Sequence, residues 1–512
     1  MPTARAPSTS CPAIPLPAPS RRWPRSGRTD GLKPAPARGR DLLSGPILRT
    51  LALFSAPILA SNILQSLNGS INSIWVGQML GEAALAATAN ANVIMFLVFA
   101  AAYGFGMAAT IRIGQAFGAG NVAAARRTCG TAVGLCVLLS FVVGTLGWVF
   151  APELLAAMSA PQETFGLALT YLRVIFIAMP ASMITVILGM GLRGGGDAAT
   201  PLKFMILSSV LDIALNPVLI GGLGPIPALG IAGSALATAA ASVIAMVALV
   251  AYVYARDLPL RLRGRELAWL WPQADEMRFI LAKGLPMGAQ MLVISAGGIV
   301  ILGLVNREGL MVSAAYGASL QLWTYLQMPA MAISAAVSAM AAQAIGAGMD
   351  QRLHQVARSG VLLNLAVTGF LCALLLLFDR PALELFLGFG SPAVDTARHI
   401  QFLASWSYIL FGVTVVLFGT MRAGGVVWAP LLILAITLYP VRLGFYWLFY
   451  PVLGADALWL AFPVSSAVAV ALSVMAYRRP GWRARTRAVP DIEAEEESHA
   501  DADPAGRMAP NI

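Results

Sequence analysis

The chain has 512 residues, of which 58% are hydrophobic and 11% charged, and its mean hydropathy is +0.75. A soluble domain carries about 25% charged residues, so lipid rather than water surrounds most of this chain. The net charge of +10 is scattered over many short loops, which argues against a nucleic-acid patch and for membrane topology.

The first 44 residues are rich in Pro, Ala, Arg and Ser and show no apolar period, so 1–44 is expected to be a disordered basic tail. Apolar segments long enough to span a bilayer follow. They are predicted near 47–76, 83–114, 124–150, 165–191, 200–222 and 230–255, then near 278–305, 311–342, 355–378, 396–420, 429–450 and 456–477. A polar stretch, 256–277, separates the two sets, and a basic then acidic tail, 478–512, closes the chain. The expected fold is an all-α polytopic membrane protein with twelve transmembrane helices. They form two pseudo-symmetric six-helix bundles, 45–255 and 278–477.

The two sets repeat each other. Q-A-F-G-A-G at Gln115 to Gly120 is answered by Q-A-I-G-A-G at Gln343 to Gly348, 228 residues on. R-G-G-G-D-A-A-T-P from Arg193 is answered by R-A-G-G-V-V-W-A-P from Arg422, and Pro57 by Pro286, each 229 residues on. Landmarks at nearly one offset mean a duplicated unit, the usual build of secondary transporters, which hold substrate between their halves. The matched prolines each remove a backbone donor and are expected to bend the first and seventh spans. The Gly-rich turns lack the GxxxxGK[ST] pattern of a phosphate loop. They are read as tight turns whose Arg anchors the helix end at the lipid surface.

Lys and Arg cluster in alternate segments: the first tail, Arg126 and Arg127, Arg193 and Lys203, the linker, Arg352 and Arg358, Arg422, and Arg478 onward. With twelve spans these all fall on one side, so both termini and the linker are expected in the cytoplasm and the protein in the plasma (inner) membrane.

Polar residues inside spans need partners or water. Ser61, Gln65, Asn68 and Asn72 share one face of the first span, and Ser208, Asp212 and Asn216 share one face of the fifth. Both stripes are expected to face a wet cavity, with helix-to-helix amide bonding as the alternative. Gln290 in the seventh span is placed with them. Asp212 is the one carboxylate so deep, and an intramembrane acid points first to function. Its alternative is a buried ion pair with Arg442, deep in the eleventh span and one residue out of repeat register with it.

Catalysis and metal binding find little support. Cys11, Cys129, Cys136 and Cys372 form no C-x-x-C pair, and His354, His399 and His499 form no cluster, so no metal site is expected. A membrane enzyme would need an intramembrane nucleophile and base, and no such pairing is visible.

From about Leu51 to Tyr477 the chain resembles the multidrug and toxic compound extrusion family. The stretches that carry the resemblance include A-P-I-L-A-S-N-I-L-Q-S-L-N-G-S-I-N-S-I-W-V-G, Q-A-F-G-A-G, L-R-G-G-G-D-A-A-T-P, L-D-I-A-L-N-P-V-L-I and the second Q-A-I-G-A-G. The resemblance implies two bundles in a V, alternating access, and export of amphipathic, often cationic drugs against H⁺ or Na⁺. It implies a coupling role for Asp212 with Asn216. Ile294 and Phe411 stand where sodium-coupled members carry acids, which speaks for protons. The expected partners are small-molecule substrates and the bilayer, with no nucleic acid and no cofactor beyond the coupling ion, and the protein is expected to act as a monomer. The rival reading within the wider superfamily is a lipid-linked saccharide flippase.

Overall fold

A computed structural model of the protein describes residues 41–157, 161–222 and 227–479, all within one compact unit. Most of the two predicted tails lies outside the described residues. Among the described residues every regular element is helical.

In the first half, α1 (Ile47–Leu80), α2 (Glu82–Gly118), α3 (Val122–Val149), α5 (Gln162–Gly194), α6 (Ala199–Gly221) and α7 (Ile231–Ala255) are long and apolar enough to cross a bilayer. The short α4 (Ala151–Ala157) links α3 to α5. In the second half, α8 (Ala274–Arg307), α9 (Leu310–Gly346), α10 (Asp350–Leu377) and α16 (Asp456–Arg478) span in the same way, and α11 (Asp379–Leu387) is short. The tenth predicted span is broken into α12 (Ala393–Ala404) and α13 (Ser407–Ala423), bent by 44°. The eleventh consists of α14 (Trp428–Ile436), a π-helical turn at Thr437–Val441, and α15 (Arg442–Leu453).

Each predicted span therefore falls on one helix or bent pair. Several helices run beyond their apolar stretch, because backbone hydrogen bonding continues past the point where side chains turn polar. The hairpins from α1 to α2 and from α8 to α9 turn at Gly81 (φ +82°) and Gly309 (φ +104°). Both conformations strain any residue with a Cβ. Pro57 and Pro286 lie inside unbroken helices. A sharp break, of 44°, occurs at Ser405–Trp406, and a π-helical turn surrounds Pro440.

Two boundaries shift. Leu42 is buried in the core, and the Arg352 guanidinium donates to the Leu42 carbonyl at 3.0 Å and to that of Ser44 at 3.1 Å. Leu42 and Ser44, read from the sequence as part of the tail, thus pack against the helices. Nor is 256–277 a free linker. Leu258 and Leu260 are buried, Arg126 donates to the Pro259 carbonyl at 2.8 Å, and Arg126 pairs with Glu266 at 3.0 Å. Buried Glu276 accepts from Thr128 Oγ1 at 3.0 Å and faces Arg112 at 3.6 Å.

The helix ends carrying the basic loops form one face, called here the basic end. There α2 packs on α8 and α9 of the other half as well as on α5. A Cβ on Gly118 would overlap the Gln343 carbonyl, and one on Gly346 the Gln115 carbonyl. The glutamines of the repeated motif then cross over. Gln115 Nε2 donates to the Ala423 carbonyl at 2.8 Å, and Gln343 Nε2 to the Gly194 carbonyl at 2.9 Å. Each half thus caps the last turn of a helix in the other, where carbonyls lack intrahelical partners. Gly118→Ala and Gly346→Ala are each expected to destabilise by about 1–3 kcal/mol, the usual cost of overpacking. Gly303→Ala, with open space around it, should be neutral or stabilising. Thermal unfolding of the purified protein in detergent compares them, and equal behaviour of all three would contradict the close approach.

Candidate functional site

Asp212 and Asn216 on α6 are 3% and 0% exposed. One turn apart, they share a face, and that face meets α1 and α7. Asn68 Nδ2 on α1 donates to Asp212 Oδ2 at 2.9 Å. Thr238 Oγ1 on α7 donates to Asp212 Oδ1 at 2.9 Å, and Asn216 Nδ2 donates to the same oxygen at 3.1 Å. No Lys or Arg stands within ion-pair distance of this carboxylate among the described residues. Three neutral donors from three helices hold it. The Oδ1 atoms of Asn68 and Asn216 are buried without a donor.

Thr238 escaped the sequence reading. Its signal was the i, i+4 pair Ser234 and Thr238 in an alanine-rich span, which places two hydroxyls on one face.

A cavity of about 400 Å³ opens beside this cluster, walled by α1, α2, α5, α6 and α7. Gln65, Asn68 and Ser208 line it, and Ser61 joins them while donating to the Pro57 carbonyl at 2.9 Å. Asp212 lies behind the wall and is reached through Asn68. Asn72 and Gln290 do not line it. Asn72 Oδ1 accepts from Ser234 Oγ at 3.1 Å, tying α1 to α7. Gln290 is buried and donates to the Val427 carbonyl at 3.4 Å, joining α8 to the start of α14.

Arg442 belongs to neither the first cavity nor an ion pair with Asp212. Its Nε donates to Ser465 Oγ at 2.9 Å, and its guanidinium lies 4.3 Å from the Phe462 ring centre. It lines a separate cavity of about 170 Å³ in the second half, together with Ile294 and Phe411. Nearly equivalent repeat positions place the two charges in corresponding sites of opposite halves, so they do not meet.

Arg193 is also corrected. It does not anchor at lipid but turns inward, lining both the first cavity and the cleft between the halves, where Gln327 and Met331 of α9 face it. Its repeat partner Arg422 is buried and donates to the Phe418 carbonyl at 3.3 Å and to Ser334 Oγ at 3.1 Å. Asp197, beside Arg193 in sequence, instead caps α6 by accepting from the Thr200 amide at 2.9 Å. Among the described residues no three His, Cys, Asp or Glu side chains cluster as a metal site would need.

The MatE family model matches residues 57–218 and 286–448. A probable multidrug resistance protein, YoeA of Bacillus subtilis (strain 168), is 34% identical over 439 residues, which cover 85% of this chain and 94% of that one. A FAD transporter of Shewanella oneidensis is 28% identical over 349 residues, covering 67% of this chain and 75% of that one. The solved outward-facing conformation of a multidrug resistance MATE family transporter of the MOP superfamily has a TM-score of 0.80 at 20% identity. It covers 88% of this chain and 99% of that one.

The geometry sets an accessibility test. With Cys11 replaced by serine, a cysteine at Gln65 should react with a charged, membrane-impermeant thiol reagent, and bound cargo should slow the reaction. A cysteine at Gln290 should stay unreactive. Equal labelling of the two positions would contradict the cavity described here.

Proposed function

Since the chain belongs to the MatE family of multidrug and toxic compound extrusion transporters, we propose that it exports amphipathic, cationic compounds in exchange for protons, with Asp212 as the coupling group. It is a multi-pass membrane transporter. We place it in the inner membrane, acting as a monomer, with the basic end and both termini in the cytoplasm.

The observation that carries the coupling role is the Asp212 cluster itself. A carboxylate accepts at every position, whereas its protonated form has one proton to donate. The unpartnered Oδ1 atoms of Asn68 and Asn216 provide acceptors for that proton once the amides rotate. The site therefore has partners in both protonation states, but different ones. Because the donors sit on α1, α6 and α7, which wall the cavity, a change of proton occupancy changes how tightly those walls are drawn together. Coupling needs differential binding to two states, and this cluster supplies it without direct contact between Asp212 and the cargo. Asn68, which touches both the carboxylate and the cavity, is the link.

Under this reading the crossed glutamine bonds close the cytoplasmic end, and the cavity is loaded from the cytoplasm only when Gln115 and Gln343 release Ala423 and Gly194. Apolar Ile294 and Phe411 in the second cavity favour protons over sodium.

Proteoliposomes under an imposed pH gradient should transport a cationic dye, and a sodium gradient alone should not. The Asp212→Asn protein should lose gradient-driven transport by roughly tenfold or more, the scale of a coupling energy above about 1.4 kcal/mol. Unchanged transport by that variant would remove Asp212 from the mechanism. FAD belongs in the cargo panel because of the relative in Shewanella oneidensis, and rescue of an envelope-synthesis defect instead of dye resistance would favour a flippase.

A further inference from the structure

The cavity of the second half contains an arginine with no opposing charge among the described residues. Arg442 stands at the point where the π-helical turn Thr437–Val441 gives way to α15. Wide turns of this kind are frequent at functional sites. Here the turn interrupts a membrane span and presents a guanidinium to a cavity of about 170 Å³. A guanidinium has five N–H donors and keeps its charge at any accessible pH. One donor is matched, by the neutral Ser465 hydroxyl at 2.9 Å, and one face is covered by the Phe462 ring. No carboxylate lies within ion-pair distance among the described residues, and none lines the cavity.

A charge held at membrane depth without a counter-charge is costly, so this cavity is preorganised to receive one. The groups around Arg442 fit that role. Tyr316, Tyr408 and Ser466 line the same space and carry hydroxyl groups that can donate, while Thr414 beside them already donates to the Leu410 carbonyl at 3.1 Å. Gln327 lines both this cavity and the cleft between the halves, so the site borders the space through which cargo would pass. The volume suits one small polar group rather than a whole drug-sized molecule, whose pockets run to about 300–1,000 Å³.

We propose that the second-half cavity is an anion site in which Arg442 receives a monoanionic group, foremost a carboxylate on an amphipathic cargo. The protein then has two half-sites of opposite sign, with Asp212 behind the cavity of one half and Arg442 in the cavity of the other, and it handles zwitterions as well as cations. This rests on the reading of the chain as an exporter, but its test needs no gradient and is independent of proton coupling.

The probes are a xanthene dye as its free acid, a zwitterion, and as its ester, a monocation with the same rings. Equilibrium binding of each to purified full-length protein is measured in chloride and in sulfate, a dianion that is not a carboxylate. Arg442→Gln should weaken binding of the acid roughly tenfold or more, as loss of a charged hydrogen bond does, and leave the ester unchanged. Arg442→Lys should restore much of the loss. Tyr316→Phe, which keeps the ring stacked on Trp459, should weaken the acid alone and by less, which keeps the idea testable if the Arg442→Gln protein does not fold. If acid and ester bind alike, but chloride alters ester binding in the wild type and not in Arg442→Gln, the anion is free chloride and the site stands. Equal weakening of both dyes, or no dependence on Arg442 in either salt, overturns the proposal.

Discussion

One buried carboxylate, held by neutral donors with no cation within ion-pair distance among the described residues, is the constraint on which the proposed mechanism depends. An ion pair at Asp212 would hold it charged and make it a structural element. Hydrogen bonds from Asn68, Thr238 and Asn216 satisfy the charge without cancelling it, and two idle amide oxygens beside it suit the neutral form as well. A group with satisfactory partners in both states can change state inside a membrane, where an unsatisfied polar atom is otherwise expensive. Its partners lie on three helices that wall the cavity, and the proposed coupling runs through them.

The second constraint is the duplicated end. The two glutamine motifs bring α2 and α9 close enough that glycine is required at Gly118 and Gly346, and each glutamine bonds the final turn of a helix in the opposite half. The bonds go to backbone carbonyls, so they break without stranding a charge. The linker is held differently, by ion pairs from Arg112 of α2 to Glu276 and from Arg126 of α3 to Glu266.

Hydropathy and the constant repeat offset made the spans and the two halves legible in the sequence, because both depend on local composition. The i, i+4 spacing on α6 and α1 likewise pointed to Asp212, Asn216 and Asn68, since helix geometry alone puts those side chains on one face. What failed depended on how helices turn against each other. Asn72 and Gln290 found partners in Ser234 and Val427 instead of the cavity, and Arg193 turned inward where a lipid anchor was expected. The break at Ser405–Trp406 carries no proline. There Gln401, Ser405 and Trp323 are joined by hydrogen bonds at the bend, an arrangement set by tertiary contact. The glutamine motifs were visible as repeats but not as a clasp, because their acceptors are carbonyls, which leave no mark on side-chain pattern.

The most direct measurement is proton release on cargo binding. Purified protein in weakly buffered detergent is titrated with a cationic dye, and the liberated protons are counted against the dye bound. If Asp212 is the coupling group, the wild type releases up to about one proton per dye as binding favours the carboxylate, and the Asp212→Asn protein binds dye with no release. Equal release by both proteins, or none by the wild type at any pH, would contradict the account.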